Sequence, residues 1–154
     1  MYDENECPFN LWSSKMTVPQ TERKKFIENV KLCAYDDKFI DVKEERKILQ
    51  YGIEGGLSLE QSQKLMIQAA EQFGYAVESV ADKKAEEILL QFASNDGVID
   101  KKEFFDAVGI MKKSLRGNLS EHVCCSKTKQ IILNHGWKVK EGFLKGGNWF
   151  SSIS

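Results

Sequence analysis

Proline is nearly missing from this 154-residue chain, which holds only Pro8 and Pro19. Beyond Pro19, therefore, no ring fixes φ or removes a backbone N–H, and helix is free to form throughout. Long apolar runs are missing too: none approaches the roughly 18 residues that a bilayer-spanning helix needs. The first ten residues, MYDENECPFN, are acidic and lack the basic-then-apolar order of a secretory leader, so a cytoplasmic location is expected. Histidine occurs only at 122 and 135, far from zinc-finger spacing, and no two cysteines form a C-x-x-C pair. Of Cys7, Cys33, Cys124 and Cys125, the adjacent pair would point about 100° apart on a helix. At most one of them should then face a core, and the thiols read as reduced and structural. Neither a nucleophile elbow nor a phosphate-cradling glycine loop occurs. The expectation is a protein that is not an enzyme and carries no resident cofactor.

What is present is enough apolar material for a core: 42% hydrophobic against 29% charged residues. That suits one domain, or two small halves sharing one core. The decisive feature is internal. KLCAYDDKFIDVKE (31–44) and LQFASNDGVIDKKE (90–103) align 59 residues apart, matching Ala34 with Ala93, Asp37 with Asp96, Ile40 with Ile99, Asp41 with Asp100 and Glu44 with Glu103. Further on, Leu57-Ser58 answers Leu119-Ser120, and Gly74-Tyr75-Ala76-Val77 answers Gly136-Trp137-Lys138-Val139. These later matches lie 62 residues apart, so about three residues were inserted between.

Each copy reads as three helices. Apolar residues from Phe26 to Ala34 make one face of a first helix that Pro19 can open. Asp41 and Glu44 form a capping box for a second helix, 42–53, expected to bury Ile48, Leu49 and Ile53. Gly55-Gly56 end it. Ser58 with Gln61 caps a third, with Leu59, Leu65, Met66, Ala69 and Phe73 on its face and Gly74 as its stop. In the second copy Ser79 is the expected cap of helix four, whose face is Val80, Ala85, Ile88, Leu89, Phe92 and Ala93. Asp100 and Glu103 rebuild the capping box for helix five, which buries Phe104, Ala107, Val108 and Met111 and ends near Gly117. Ser120 caps helix six, with Val123, Ile131 and Ile132 inward and Gly136 closing it. The expected fold is all-α: a six-helix bundle from two pseudo-symmetric three-helix repeats, 19–78 and 79–139, with an arm at 1–18 and an irregular aromatic tail at 140–154.

The turn ASNDGVIDKKEF invites comparison with an EF-hand calcium loop, which needs oxygen ligands at its first, third and fifth positions, glycine at the sixth and glutamate at the twelfth. With Glu103 twelfth, Gly97 is sixth and Asp96 fifth, but the first position is Phe92. In the other copy Glu44 is twelfth, Lys38 sixth and Cys33 first. The first ligand is missing twice, and helix capping accounts for the remaining acids. The pattern Ala-x-x-Asp-Gly-x-Ile-Asp-x-x-Glu before a helix, followed by a Leu-Ser start, resembles the tellurite-resistance TerB family and TerB-like helical modules. The resemblance spans about residues 21–139 and departs at Lys38. It implies an all-helical, non-enzymatic stress or scaffold module, with divalent metal such as calcium held by Asp36, Asp37, Asp41 and Glu44 and by Asp96, Asp100 and Glu103.

Charge is uneven. Residues 1–110 hold 14 basic and 21 acidic side chains; residues 111–154 hold eight basic ones against Glu121 and Glu141. The lysines of this last third mix with Trp137, Phe143, Trp149 and Phe150, a composition that suits a single-stranded nucleic acid. The slightly acidic whole, net −1, disfavours that partner. The same four aromatics otherwise fold back on the bundle or meet a protein. The leading expectation is a binding or scaffold module acting through protein–protein contacts, self-association included, with no membrane partner. A calcium-responsive protein using the acidic turns is the alternative.

Overall fold

The computed structural model describes residues 19–142 and 147–154. The arm at 1–18 and Phe143 lie outside them. Six helices and four two-residue strands follow in order: α1 Gln20–Cys33, β1 Phe39–Ile40, α2 Val42–Glu54, α3 Leu59–Phe73, β2 Ala76–Val77, α4 Glu78–Ala93, β3 Val98–Ile99, α5 Lys101–Ser114, α6 Glu121–His135 and β4 Lys138–Val139. The fold is the all-α bundle of two three-helix repeats.

Local chemistry explains where the helices begin. Asp41 Oδ1 accepts the Glu44 N–H at 2.7 Å, and the Asp41 N–H donates to Glu44 Oε2 at 3.1 Å. Asp100 and Glu103 repeat this at 2.8 and 2.9 Å. Ser58 and Gln61 make the third such box, and Ser120 caps α6 through the Val123 N–H. Each satisfies donors that a helix start leaves without partners. Gly74 and Gly136 end α3 and α6 in the left-handed conformation.

The short strands close each repeat. In parallel register Phe39 pairs with Ala76 and Ile40 with Val77; Val98 pairs with Lys138 and Ile99 with Val139. The Ala76 N–H donates to the Lys38 carbonyl at 2.9 Å, and the Lys138 N–H to the Gly97 carbonyl at 3.0 Å. Ile40 and Ile99 are fully buried beneath these ladders. So the repeated Gly-aromatic-x-Val segments are the partners of the two apolar anchors.

Buried side chains gather in two clusters, one per repeat: Phe26, Val30, Ile40, Ile48, Leu65 and Met66 lead the first, and Leu89, Ile99, Phe104, Met111, Leu115 and Ile132 the second. The repeats meet through a few contacts. Phe39 packs against the second cluster, the Val42 N–H donates to Glu78 Oε2 at 3.1 Å, and Arg116 Nη1 donates to the Gly74 carbonyl at 2.7 Å.

Several sequence expectations need correction. Ile53 is exposed, and Gly52 is the buried residue on that turn of α2. A Cβ there would lie 2.4 Å from Ser62 Oγ and 2.7 Å from the Phe26 ring, so α1 and α3 approach α2 closely at this point. Leu59 and Val123 sit exposed in the first turns of their helices. Helix α4 begins at Glu78 instead of after Ser79, because Val77 is held extended by its strand pairing. Cys124 and Cys125 are both buried, and both belong to the core cluster of the second repeat.

Lys38 and Gly97 occupy equivalent turn positions, with φ of 57° and 71°. The left-handed region costs an ordinary residue about 1–2 kcal/mol. Lys38→Gly should therefore raise stability by about 1 kcal/mol in urea unfolding. A Cβ at Gly97 meets nothing within 4 Å, so Gly97→Val should cost stability through backbone conformation alone, by at least about 1 kcal/mol.

Candidate functional site

The two acidic turns are the first candidate. Asp37 Oδ1 accepts the Phe39 N–H at 3.1 Å, and Asp96 Oδ1 accepts the Val98 N–H at 3.0 Å, two residues on in each case. Asp41, Glu44, Asp100 and Glu103 are joined within their capping boxes. Asp36 is exposed. Thus six of the seven carboxylates already accept backbone N–H groups that shape the turn and start the next helix. Among the described residues no group of three or more His, Cys, Asp or Glu side chains converges as a metal site would require.

A second polar group was not legible from sequence. Lys127 of α6 reaches Glu78 Oε1 at 2.7 Å and Asp82 Oδ2 at 3.0 Å on α4. Glu78 uses its other oxygen on the Val42 N–H, so one carboxylate links α4, α6 and the start of α2. It lies at the positive end of the α2 dipole. Burial pushes the Asp82 carboxyl up, against the pull of Lys127. Burial would lower Lys127, but the bonds to Glu78 and Asp82 outweigh it and hold its ammonium above the usual lysine range. Asp82 Oδ1 is buried with no bonding partner. Only long-range packing of α4 on α6 assembles this group; the spacing of Glu78 and Asp82, one helical turn apart, was its one sequence signal.

The aromatic end of the chain is the third candidate. Trp149 and Phe150 lie against α5, their ring centroids 5.1 and 5.9 Å from Phe104 in edge-on arrangements. Phe150 is buried; Trp149 is half-buried and stands 6.2 Å from Phe105, which is 42% exposed. Trp137 is apart from them. It is half-buried and stacks on His135 at 4.2 Å, and the imidazole Nε2 meets Glu86 Oε1 of α4 at 2.5 Å. The four predicted aromatics are therefore not one patch: Trp149 and Phe150 share a face with Phe104 and Phe105, Trp137 pins the end of α6, and Phe143 lies outside the described residues.

Many of the basic residues thought to face a nucleic acid are engaged internally. Lys112 pairs with Glu121 at 2.8 Å, Lys127 is held as above, Arg116 bonds Gly74, and Lys129 Nζ sits 5.4 Å from the Phe150 ring centre. The thiols of Cys33, Cys124 and Cys125 are all pushed up by burial, which leaves little reactive thiolate at neutral pH. Between α1 and α2 runs an open groove of about 450 Å³, lined by Asn29, Cys33, Arg46, Lys47, Gln50, Tyr51 and Glu54. No helix among the described residues is long and apolar enough to cross a membrane.

Compared with known protein families, with curated proteins and with solved structures, the chain matches none.

The two kinds of lysine predict different losses. Lys127→Met strands two partly buried carboxylates and should cost about 1–3 kcal/mol in urea unfolding. Lys112→Met, on a solvated pair, should leave stability unchanged.

Proposed function

We propose that this protein is a non-catalytic helical binding module that works through protein–protein contacts, with its contact face at the aromatic end of the second repeat. The observation that carries this is the pair Phe105 and Trp149, two large aromatic rings side by side at the surface of α5. Apolar side chains left together at a surface mark recognition sites more often than chance exposure does, and aromatic anchors dominate binding energy at protein interfaces. The capping box and the ladder beside it define the start of α5, where Phe105 sits. The internal engagement of Lys112, Arg116, Lys127 and Lys129 favours a protein partner over a nucleic acid. The TerB-like pattern of the turns supports the same class, a scaffold module of stress-related type.

Phe105→Asp changes an exposed position, so the fold should persist by circular dichroism. Quantitative affinity capture should then lose the protein that wild type retains. Equal retention by the variant would count against this face.

A further inference from the structure

We infer that the small cavity where the two repeats meet is a binding site for a zwitterion, an α-amino acid with a short aliphatic side chain. The site shares no residue with the contact face at Phe105 and Trp149, and it stands or falls independently of that face.

The cavity holds about 100 Å³ and lies between α3, β2, the first turns of α4 and the turn after α5. Sites for drug-sized molecules begin at about 300 Å³, so this one admits only a few heavy atoms. Its floor is apolar and made of small side chains, the buried Ala70, Ala76 and Ala81. Its mouth is charged. Glu71 of α3, Lys84 of α4 and Arg116 of the turn after α5 line it, all three exposed. Among the described residues, none of these three takes part in an ion pair. An anion entering alone would meet the Glu71 carboxylate, and an amine entering alone would meet two cations, so each is disfavoured by a like charge. A molecule that carries both signs satisfies both sides. Its ammonium would face Glu71, its carboxylate Arg116 and Lys84, and its short side chain the alanine floor.

Arg116 is held in place for this role. It stands among the extra residues that lengthen the second repeat after α5. Its φ of 53° lies in the left-handed region, which an arginine disfavours. Strained residues of this kind gather at ligand clamps. Nη1 donates to the Gly74 carbonyl at 2.7 Å, and among the described residues the guanidinium makes no other hydrogen bond. That one bond carries the arginine across from the second repeat to the first and fixes it at the mouth. Its remaining N–H groups stay available, and a planar fork of such donors matches a carboxylate. A ligand bound between Glu71 and Arg116 would join α3 of one repeat to the turn of the other.

The test is an amide NMR titration of the full chain with three probes: L-alanine, propionate, which lacks its ammonium, and ethylamine, which lacks its carboxylate. L-Alanine should shift the amides of Ala70, Ala76, Ala81 and Arg116 saturably. It should bind at least about tenfold more tightly than either of the other two, since each of them loses a charge-assisted contact. Glu71→Gln should abolish the preference for alanine over propionate, and Arg116→Gln the preference for alanine over ethylamine. If Arg116→Gln loosens the fold, Lys84→Gln carries the same comparison from the other cation. Alanine should also raise the thermal midpoint of wild type, and do so less in Glu71→Gln. No saturable shift at tens of millimolar alanine, propionate binding wild type as tightly as alanine, or an alanine affinity that Glu71→Gln leaves unchanged would each overturn the inference. None of these results bears on the capture experiment with Phe105→Asp.

Discussion

Two parallel ladders of two residues each hold this molecule in shape. In each repeat the chain leaves a helix, turns through a left-handed residue, runs extended for two positions and enters a capped helix. About 40 residues later it returns and pairs with that same extended step. A pair so short contributes few hydrogen bonds, but it contains a fully buried isoleucine and joins four helix ends in the first repeat and three in the second. In the first repeat it brings the start of α2 beside the start of α4. Glu78 can then accept the Val42 N–H at the positive end of one helix while pairing with Lys127 of another. The main polar link between the repeats is thus a consequence of ladder register.

The two repeats differ at a few positions that can be compared directly. Met111 stands in the core where the first repeat has Gly52, which lets α1 and α3 press against α2. The extra residues between Glu103 and Leu119 lengthen the turn after α5, and Arg116 there takes a φ of 53° and reaches the Gly74 carbonyl. Phe104 and Phe105 stand where the first repeat has a glutamate and an arginine; the tail packs on Phe104 and leaves Phe105 exposed. These departures lie on the second repeat, and the proposed recognition face is built from them.

Helix existence and most helix starts were legible in the sequence because they depend on neighbours three or four residues apart: Asp41 with Glu44, Ser58 with Gln61, Asp100 with Glu103. The two glycine stops at 74 and 136 were legible for the same reason. The strands were not, since Ile40 gives no sign that its partner is Val77. Ile53 and Leu59 were misassigned to the core because periodicity shows a face but not how closely the next helix approaches. The Cys124–Cys125 expectation failed for a related reason: helical geometry separates the two side chains, but the core of the second repeat reaches far enough around α6 to bury both. At the candidate site, the acids appeared in sequence as both ligands and caps, and the backbone bonds they make show what they do in the fold. The aromatics appeared as one group, and tertiary packing divides them between the α5 face and the end of α6. Lys127 with Glu78 and Asp82 carried almost no sequence signal, because it joins residues 45 to 49 positions apart.

Native-state hydrogen exchange on the ladder amides tests the central claim most directly. The amides of Ala76, Lys138 and Lys140 bond across the ladders at 2.8–3.0 Å, although Lys138 and Lys140 lie at the surface. If the ladders close the repeats, these three amides should exchange only through opening of a whole repeat, as slowly as the central amides of α3 and α6. If they exchange as fast as surface turns while the helix centres stay protected, the ladders are ornaments on a bundle held by its cores alone.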